Sequence, residues 1–253
     1  MFLLQIVWKY YYSTKSSADH GTLYQLRNVM HRTNVVSHPK NNYNACDDFF
    51  TLVIECHIIA VAMEILKMED TDHTPDSSDF PGLNTICMEP QYRSKVLEAI
   101  TNRIVDSLSL NFNNYKPNNG KSDKVRLYGT QLLSLGCFYL EYSDAIKEGD
   151  GIRVLRCWRY LLPMFISSGH KNYAAEALNL LLQHDYVLSP REAYELIWCR
   201  FINVSGQPGH NIPTDLHMEH LNRVLKNSIH GLGVNKTACA IDRVARALGT
   251  ISP

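Results

Sequence analysis

Several absences narrow the reading of this sequence first. Its 7 cysteines (Cys46, Cys56, Cys87, Cys137, Cys157, Cys199 and Cys239) never form a CxxC pair, which argues against a zinc ribbon and against a disulfide framework. They are scattered, odd in number and mostly set in apolar helical patterns. They read as buried, reduced thiols of an intracellular protein, a reading with which the nucleus is compatible. Net charge is absent too: 25 basic residues face 25 acidic ones. That balance excludes a chain-wide electrostatic grip on nucleic acid and leaves room only for a local patch. No stretch approaches the ~20 consecutive apolar residues of a membrane span, so no membrane partner is expected. Gly-rich phosphate loops of the Walker or dinucleotide type are missing as well.

The N-terminal run MFLLQIVWKYYYST is apolar but short. It has no basic leader, Gln5 interrupts it, and no small-residue cleavage site follows. It is therefore expected to be a core helix rather than a signal peptide. A chain that opens on a bare hydrophobic run implies partner elements upstream of it. The asparagines of two glycosylation tripeptides, Asn203 and Asn235, carry no weight without secretion.

What is present is helical periodicity. With 253 residues, 45% hydrophobic and 20% charged, the chain can bury a sizeable core. Residues 2–12 predict a first helix. Thr22 is the candidate N-cap of a short second one. From Asn44 to Met68 the stripe Phe49, Leu52, Val53, Cys56, Ile59, Ala60 and Met63 predicts a long helix. Within it, His57 reads as a satisfied core histidine. Residues 69–89 and 111–123 are rich in Asp, Asn, Ser, Gly and Pro and are expected to be flexible loops. Between and after them, Pro90 starts one helix and Lys124–Lys147 forms another. Pro163 should kink or end the helix after Gly151, with Gly169 as a C-cap. Ser189-Pro190-Arg191-Glu192 is a strong helix start, and that helix should run to about Ile202. Thr214 should cap a helix over Asp215–His230, and Asn235 a last one to about Leu248. No run of strands is expected. Helix pairs on short loops invite a repeat reading, but their spacing is irregular and no signature recurs. The expectation is one mainly α, irregular multi-helix domain over residues 1–253, with eight or nine helices.

One stretch stands apart, FINVSGQPGHNIPTDLHMEHLN over 201–222. A polar loop punctuated by Gly and Pro runs into a helix that carries Asp215, His217, Glu219, His220 and Asn222. In the loop, Asn203, Gly206, Gly209, His210 and Asn211 are the candidate residues. Asn203 and Asn211 can close turns by side-chain–backbone bonds. A tight loop that delivers a helix N-terminus can also receive an anion. His217 and His220 are three apart and Glu219 lies between them, so Asp215, His217, Glu219 and His220 are candidate metal ligands. The run is one residue short of the zincin and inverted-zincin spacings, which argues against a zinc protease. Glu219 on a helix, near carboxylates from elsewhere, is what two-metal phosphoryl transfer requires. Arg223, Lys226, Lys236, Arg243 and Arg246 follow as a small basic patch that could meet phosphate, with Arg243 and Arg246 on one helix face.

Five stretches together (21–32, 44–63, 149–162, 169–181 and 201–223) resemble the domain-of-unknown-function family 6589. It is a multicopy family of invertebrates and fungi, and the resemblance spans nearly the whole chain. The copy number implies descent from mobile DNA. Larger members resemble a transposase core of RNase H-like type with a helical insertion, in which Glu219 would be the last acidic ligand for two divalent ions, Mg or Mn. By this resemblance the chain is a C-terminal fragment, the helical part of a larger α/β protein. The two earlier acidic positions are absent from it, and it is expected to lack catalytic activity. It keeps a divalent metal only if an ancestral acidic site survives, and the partner implied is nucleic acid through the C-terminal basic patch. Two other readings stay open: a helical protein-interaction module without enzymatic activity, and a metal-dependent hydrolase using His217, Glu219 and His220.

Overall fold

The computed structural model describes residues 2–13, 17, 19–75, 90–108, 124–234 and 236–251. Residues 76–89 and 109–123, which hold most of the two expected flexible loops, lie outside the described residues, as do Cys87 and Asn235. The structure is 74% helical, with ten α-helices and one two-stranded ribbon among the described residues, so the mainly α expectation holds. It forms two compact units, residues 1–140 and 141–253.

In the first unit, α1 (Phe2–Tyr11) is the core element. Leu3, Leu4, Ile6, Val7, Trp8 and Tyr11 are all buried, which accounts for the apolar run on both sides of Gln5. Trp8 meets Phe49 and Phe50 edge-on, and its indole N–H donates to the Val36 carbonyl at 2.9 Å. The polar tip of this large buried ring is thus satisfied. Helix α2 (Leu23–Val29) is capped by Thr22, whose hydroxyl accepts from the Gln25 amide. Arg27 ties the following turn by donating to the carbonyls of Val35 and Thr33. A 3-10 turn at Pro39–Asn41 leads into α3 (Tyr43–Ile65).

Burial on α3 differs from the expected stripe. Cys46, Phe49, Phe50, Val53 and Ile54 are buried, whereas Cys56, Ile59 and Ala60 are exposed. Periodicity marks a face but not how many of its turns a neighbour covers. His57 is satisfied as expected, with Nδ1–H donating to the Val53 carbonyl at 2.7 Å. Helix α4 spans Pro90–Leu108 and α5 spans Lys124–Glu148. On α5, Gly136 lies so close to Ile54 that an added Cβ would sit 2.1 Å from the Ile54 Cδ1. Tyr139, buried beside Phe50, donates its hydroxyl to Asp47 and accepts from Tyr43 at 3.3 Å.

The second unit is built on α6 (Gly151–Ser168), α7 (Lys171–Leu182) and α8 (Pro190–Trp198), with a π-helical turn at Gln183–Val187. Leu155, Leu180 and Ile197, one from each helix, meet in a small core lined by Trp158, Leu181 and Leu196. Asp150 caps α6 by accepting from the Arg153 amide, and Arg153 in turn pairs with Asp150, Asp144 and Glu141. Pro163 does not end α6, which continues to Ser168 and is closed by Gly169 at a φ of 83°. Ser189 and Glu192 form the expected capping box at α8.

Three local expectations are corrected here. Helix α8 stops at Trp198, and Phe201–Ile202 (β1) pairs antiparallel with Ile212–Pro213 (β2), Phe201 opposite Pro213 and Ile202 opposite Ile212. The carbonyls of Cys199 and Arg200 are taken by the Thr214 hydroxyl and amide at 2.9 and 2.8 Å, so they do not continue the helix. Thr214 is consequently the first residue of α9 (Thr214–Gly231) rather than its cap. Finally, the thiols are not uniformly buried. Cys46 and Cys157 are, but Cys56, Cys199 and Cys239 are exposed, and none of the described cysteines is bridged. Helix α10 spans Ala238–Ile251, with the Thr237 hydroxyl accepting from the Ala240 amide.

Candidate functional site

The loop between β1 and β2 is held by its own side chains. Asn203 donates to the Gln207 carbonyl at 2.8 Å and accepts from the Ser205 hydroxyl at 3.1 Å. Gly206 and Gly209 take the left-handed conformation, with φ of 67° and 71°, which a residue with a Cβ adopts only under strain. Asn211 does not close a local turn. Its amide and its Nδ2 both donate to the Lys147 carbonyl, at 3.1 and 2.9 Å, pinning the loop to the end of α5. His210 is exposed. Each of these bonds is internal and explains the loop as a structural clasp.

Helix α9 then decides where the candidate ligands point. At about 100° per residue, Asp215 and Glu219 share one face, one turn apart. His217 and His220 share another face, roughly opposite to the first. The four side chains predicted as one constellation are thus divided into a carboxylate pair and a histidine pair. Glu219 and His220 are exposed and His217 is half-buried on the apolar side. Among the described residues, no three His, Cys, Asp or Glu side chains converge as a metal ion would need. The first turn of α9 already holds an anion of its own, because Asp215 accepts from the Leu216 amide at 2.9 Å.

On the carboxylate side of α9 lie Asn222, Arg223 and Lys226, one continuous polar face. Helix α10 packs against α9 and carries Arg243 and Arg246. All five predicted cations, including Lys236, are exposed. Arg246 is paired with Asp242 at 2.5 Å. Arg223, Lys226, Lys236 and Arg243 form no ion pair among the described residues. The opposite face of α9 is apolar yet weakly covered: none of its residues is buried, and Met218, Leu221 and Val224 are 51%, 43% and 48% exposed.

A cation that sequence patterns did not single out lies where the ribbon begins. Arg200 is half-buried, its guanidinium 6.0 Å from the centre of the Trp158 ring. Its Nε is buried and has no hydrogen-bond partner among the described residues. Burial lowers its pKa, an effect opposed by the nearby Tyr142 and Asp215. Tyr142, itself pushed up by burial, is hydrogen-bonded to the Trp158 side chain. No sequence signal marks Arg200, because its neighbours come from α5, α6 and α9.

The model of a family described as a family of unknown function, DUF6589, matches residues 1–252. The chain belongs to that family. No curated protein and no solved structure matches it. Among the described residues of this family member, no helix is long and apolar enough to cross a membrane.

Proposed function

We propose that this chain is a non-catalytic helical module, related to mobile-element (transposase-like) proteins, that contacts nucleic-acid backbones through α9 and α10. One observation carries this reading. Arg223 and Lys226 on α9 and Arg243 on the contacting α10 are exposed and unpaired among the described residues. Glu219, the acidic residue that the family resemblance nominates, shares the face of Arg223 and Lys226. Cations so placed recruit phosphates without base specificity. The division of Asp215 and Glu219 from His217 and His220 supports a binding role over a hydrolytic one, since metal-assisted hydrolysis needs its ligands converged.

The test is fluorescence anisotropy with labelled single- and double-stranded DNA over a salt series. Binding should be salt-dependent. In the triple variant Arg223→Glu, Lys226→Glu, Arg243→Glu it should weaken, and the slope of log K against log salt should fall by about three charges' worth. Equal binding by wild type and triple variant, or no binding at low salt, refutes the reading. Calorimetric titration with Mn2+, on wild type and Glu219→Ala, checks the catalytic side. Binding to wild type that is lost in the variant would restore the hydrolase reading.

A second reading, a protein-interaction module, is favoured by the exposed apolar face of α9. Contiguous apolar surface of this kind marks contact sites. Sedimentation of wild type and Leu221→Glu tests it for self-association. A monomer at all concentrations removes that form of the reading.

A further inference from the structure

We propose that Arg200 is the recognition residue of an oxyanion site, where its guanidinium takes an oxygen of a phosphate group beside the Trp158 indole. The starting point is an incomplete hydrogen-bond set. A guanidinium carries five N–H donors and cannot shed its charge in water-like conditions. None of the donors of Arg200 meets an acceptor among the described residues, and its Nε is covered by protein as well. Buried polar atoms of folded chains are nearly always paired, and an orphan points to a bound water or ion. The Nε itself is sealed by protein, so an outside acceptor can reach only the terminal amino groups, and a water there would add no charge to that of the nearby Asp215.

The neighbours explain why the compensation should come from outside. Trp158 offers its ring face at 6.0 Å, which orients the guanidinium but neutralises nothing. The Tyr142 hydroxyl is kept neutral by burial and brings no anion. Asp215 is the nearby carboxylate, but it forms no ion pair with Arg200 and accepts from the Leu216 amide instead. The backbone on both sides of Arg200 is fixed. Its carbonyl accepts from the Thr214 amide at 2.8 Å, and the preceding carbonyl of Cys199 accepts from the Thr214 hydroxyl at 2.9 Å. The backbone that carries Arg200 is therefore fixed at the mouth of the ribbon, and a guanidinium is a planar fork of the shape that phosphate oxygens match. This inference does not rest on the α9–α10 reading, whose cations lie elsewhere on the chain, and either can fail alone.

The direct readout in 1H–15N spectra of the full chain during titration with inorganic phosphate is the Arg200 Nε–H resonance and, for the Arg200 variants, which lack that group, the backbone amides of residues 199–202. A saturable shift of that resonance is expected, with binding about tenfold weaker in Arg200→Lys, which keeps charge but loses the fork. Arg200→Gln should abolish it. If Arg200→Gln does not fold, Arg200→Lys and Trp158→Phe decide, each weakening phosphate. A single-stranded oligonucleotide separates the sources. A shift at strand concentrations where equal free phosphate gives none assigns the site to a nucleic-acid backbone, and the reverse assigns it to small phosphates. Absence of a saturable shift by either probe overturns the proposal, as does unchanged affinity in Arg200→Lys. Binding by Asp215→Asn but not by wild type also overturns it, because Asp215 would then be the internal partner of Arg200.

Discussion

Replacing Gly151 with alanine tests the packing that positions the second unit's site. Gly151 opens α6 and is buried against α8. A Cβ built there would sit 1.9 Å from Ile197 Cγ2, 3.0 Å from the Ile197 carbonyl oxygen and 3.3 Å from its carbonyl carbon. The Cγ2 contact can be relieved by moving a side chain, but the carbonyl contact requires the helices to part. Overpacking of this kind costs about 1–3 kcal/mol. Set against it is the helical advantage of alanine over glycine, at most about 1 kcal/mol and smaller in a first turn. The net expectation is destabilisation by about 1–2 kcal/mol. Gly129, inside α5, is the control. Among the described residues nothing lies within 4 Å of a Cβ added there, so Gly129→Ala should stabilise by about 0.5–1 kcal/mol. Urea unfolding followed by helical circular dichroism measures both. In an Ile197→Ala background the added cost of Gly151→Ala should shrink but not vanish, since the carbonyl contact survives. A Gly151→Ala midpoint raised alongside that of Gly129→Ala would refute the α6–α8 packing.

Three further outcomes follow from named contacts. Ser189→Ala removes the hydroxyl that accepts from the Glu192 amide and should cost about 1 kcal/mol in the same urea assay. The Arg153 amide, followed by the Arg153 side chain, holds the Asp150 carboxyl below its ordinary value. A depressed folded pKa stabilises above the ordinary aspartate value of about 3.9 and is lost as pH falls through the folded value. Asp150→Asn should therefore flatten the acid limb of the stability–pH curve below about pH 4 and leave its shape at neutral pH unchanged. Asn211→Ala deletes the side-chain bond to the Lys147 carbonyl. Hydrogen exchange should then speed up over residues 203–211 while α6 stays protected, and unchanged exchange in the loop would remove its role as a pin.

Much of the helical scaffold was legible in the residues alone because its signals are local. Thr22 and Ser189 cap helices through atoms within three residues of themselves. Pro90 opens α4, and Gly169 closes α6 in the left-handed conformation. Such choices are made between sequence neighbours, so spacing reveals them. The apolar run of α1 was likewise readable as core, since a chain cannot leave that much apolar area in water at about 25 cal/mol per Å2.

The same locality explains what was missed. Helix α8 ends at Trp198 because Thr214, 15 residues later, claims the Cys199 carbonyl. The Asn211 amide and side chain reach back to Lys147, 64 residues away. Sequence brought Asp215, His217, Glu219 and His220 together as neighbours in a list, and the turn of α9 set the two pairs on opposite sides. Arg200 carried no motif at all and became conspicuous only when Trp158, Tyr142 and Asp215 closed around it. The sequence by itself determined the class of the fold, most of its helices, the caps at Thr22 and Ser189, and the family. Tertiary structure alone decided which faces are covered, where α8 yields to a ribbon, and that the buried Nε of Arg200 has no acceptor among the described residues. Those outcomes depend on partners far along the chain, and burial and hydrogen-bond satisfaction are properties of the assembled fold rather than of any segment.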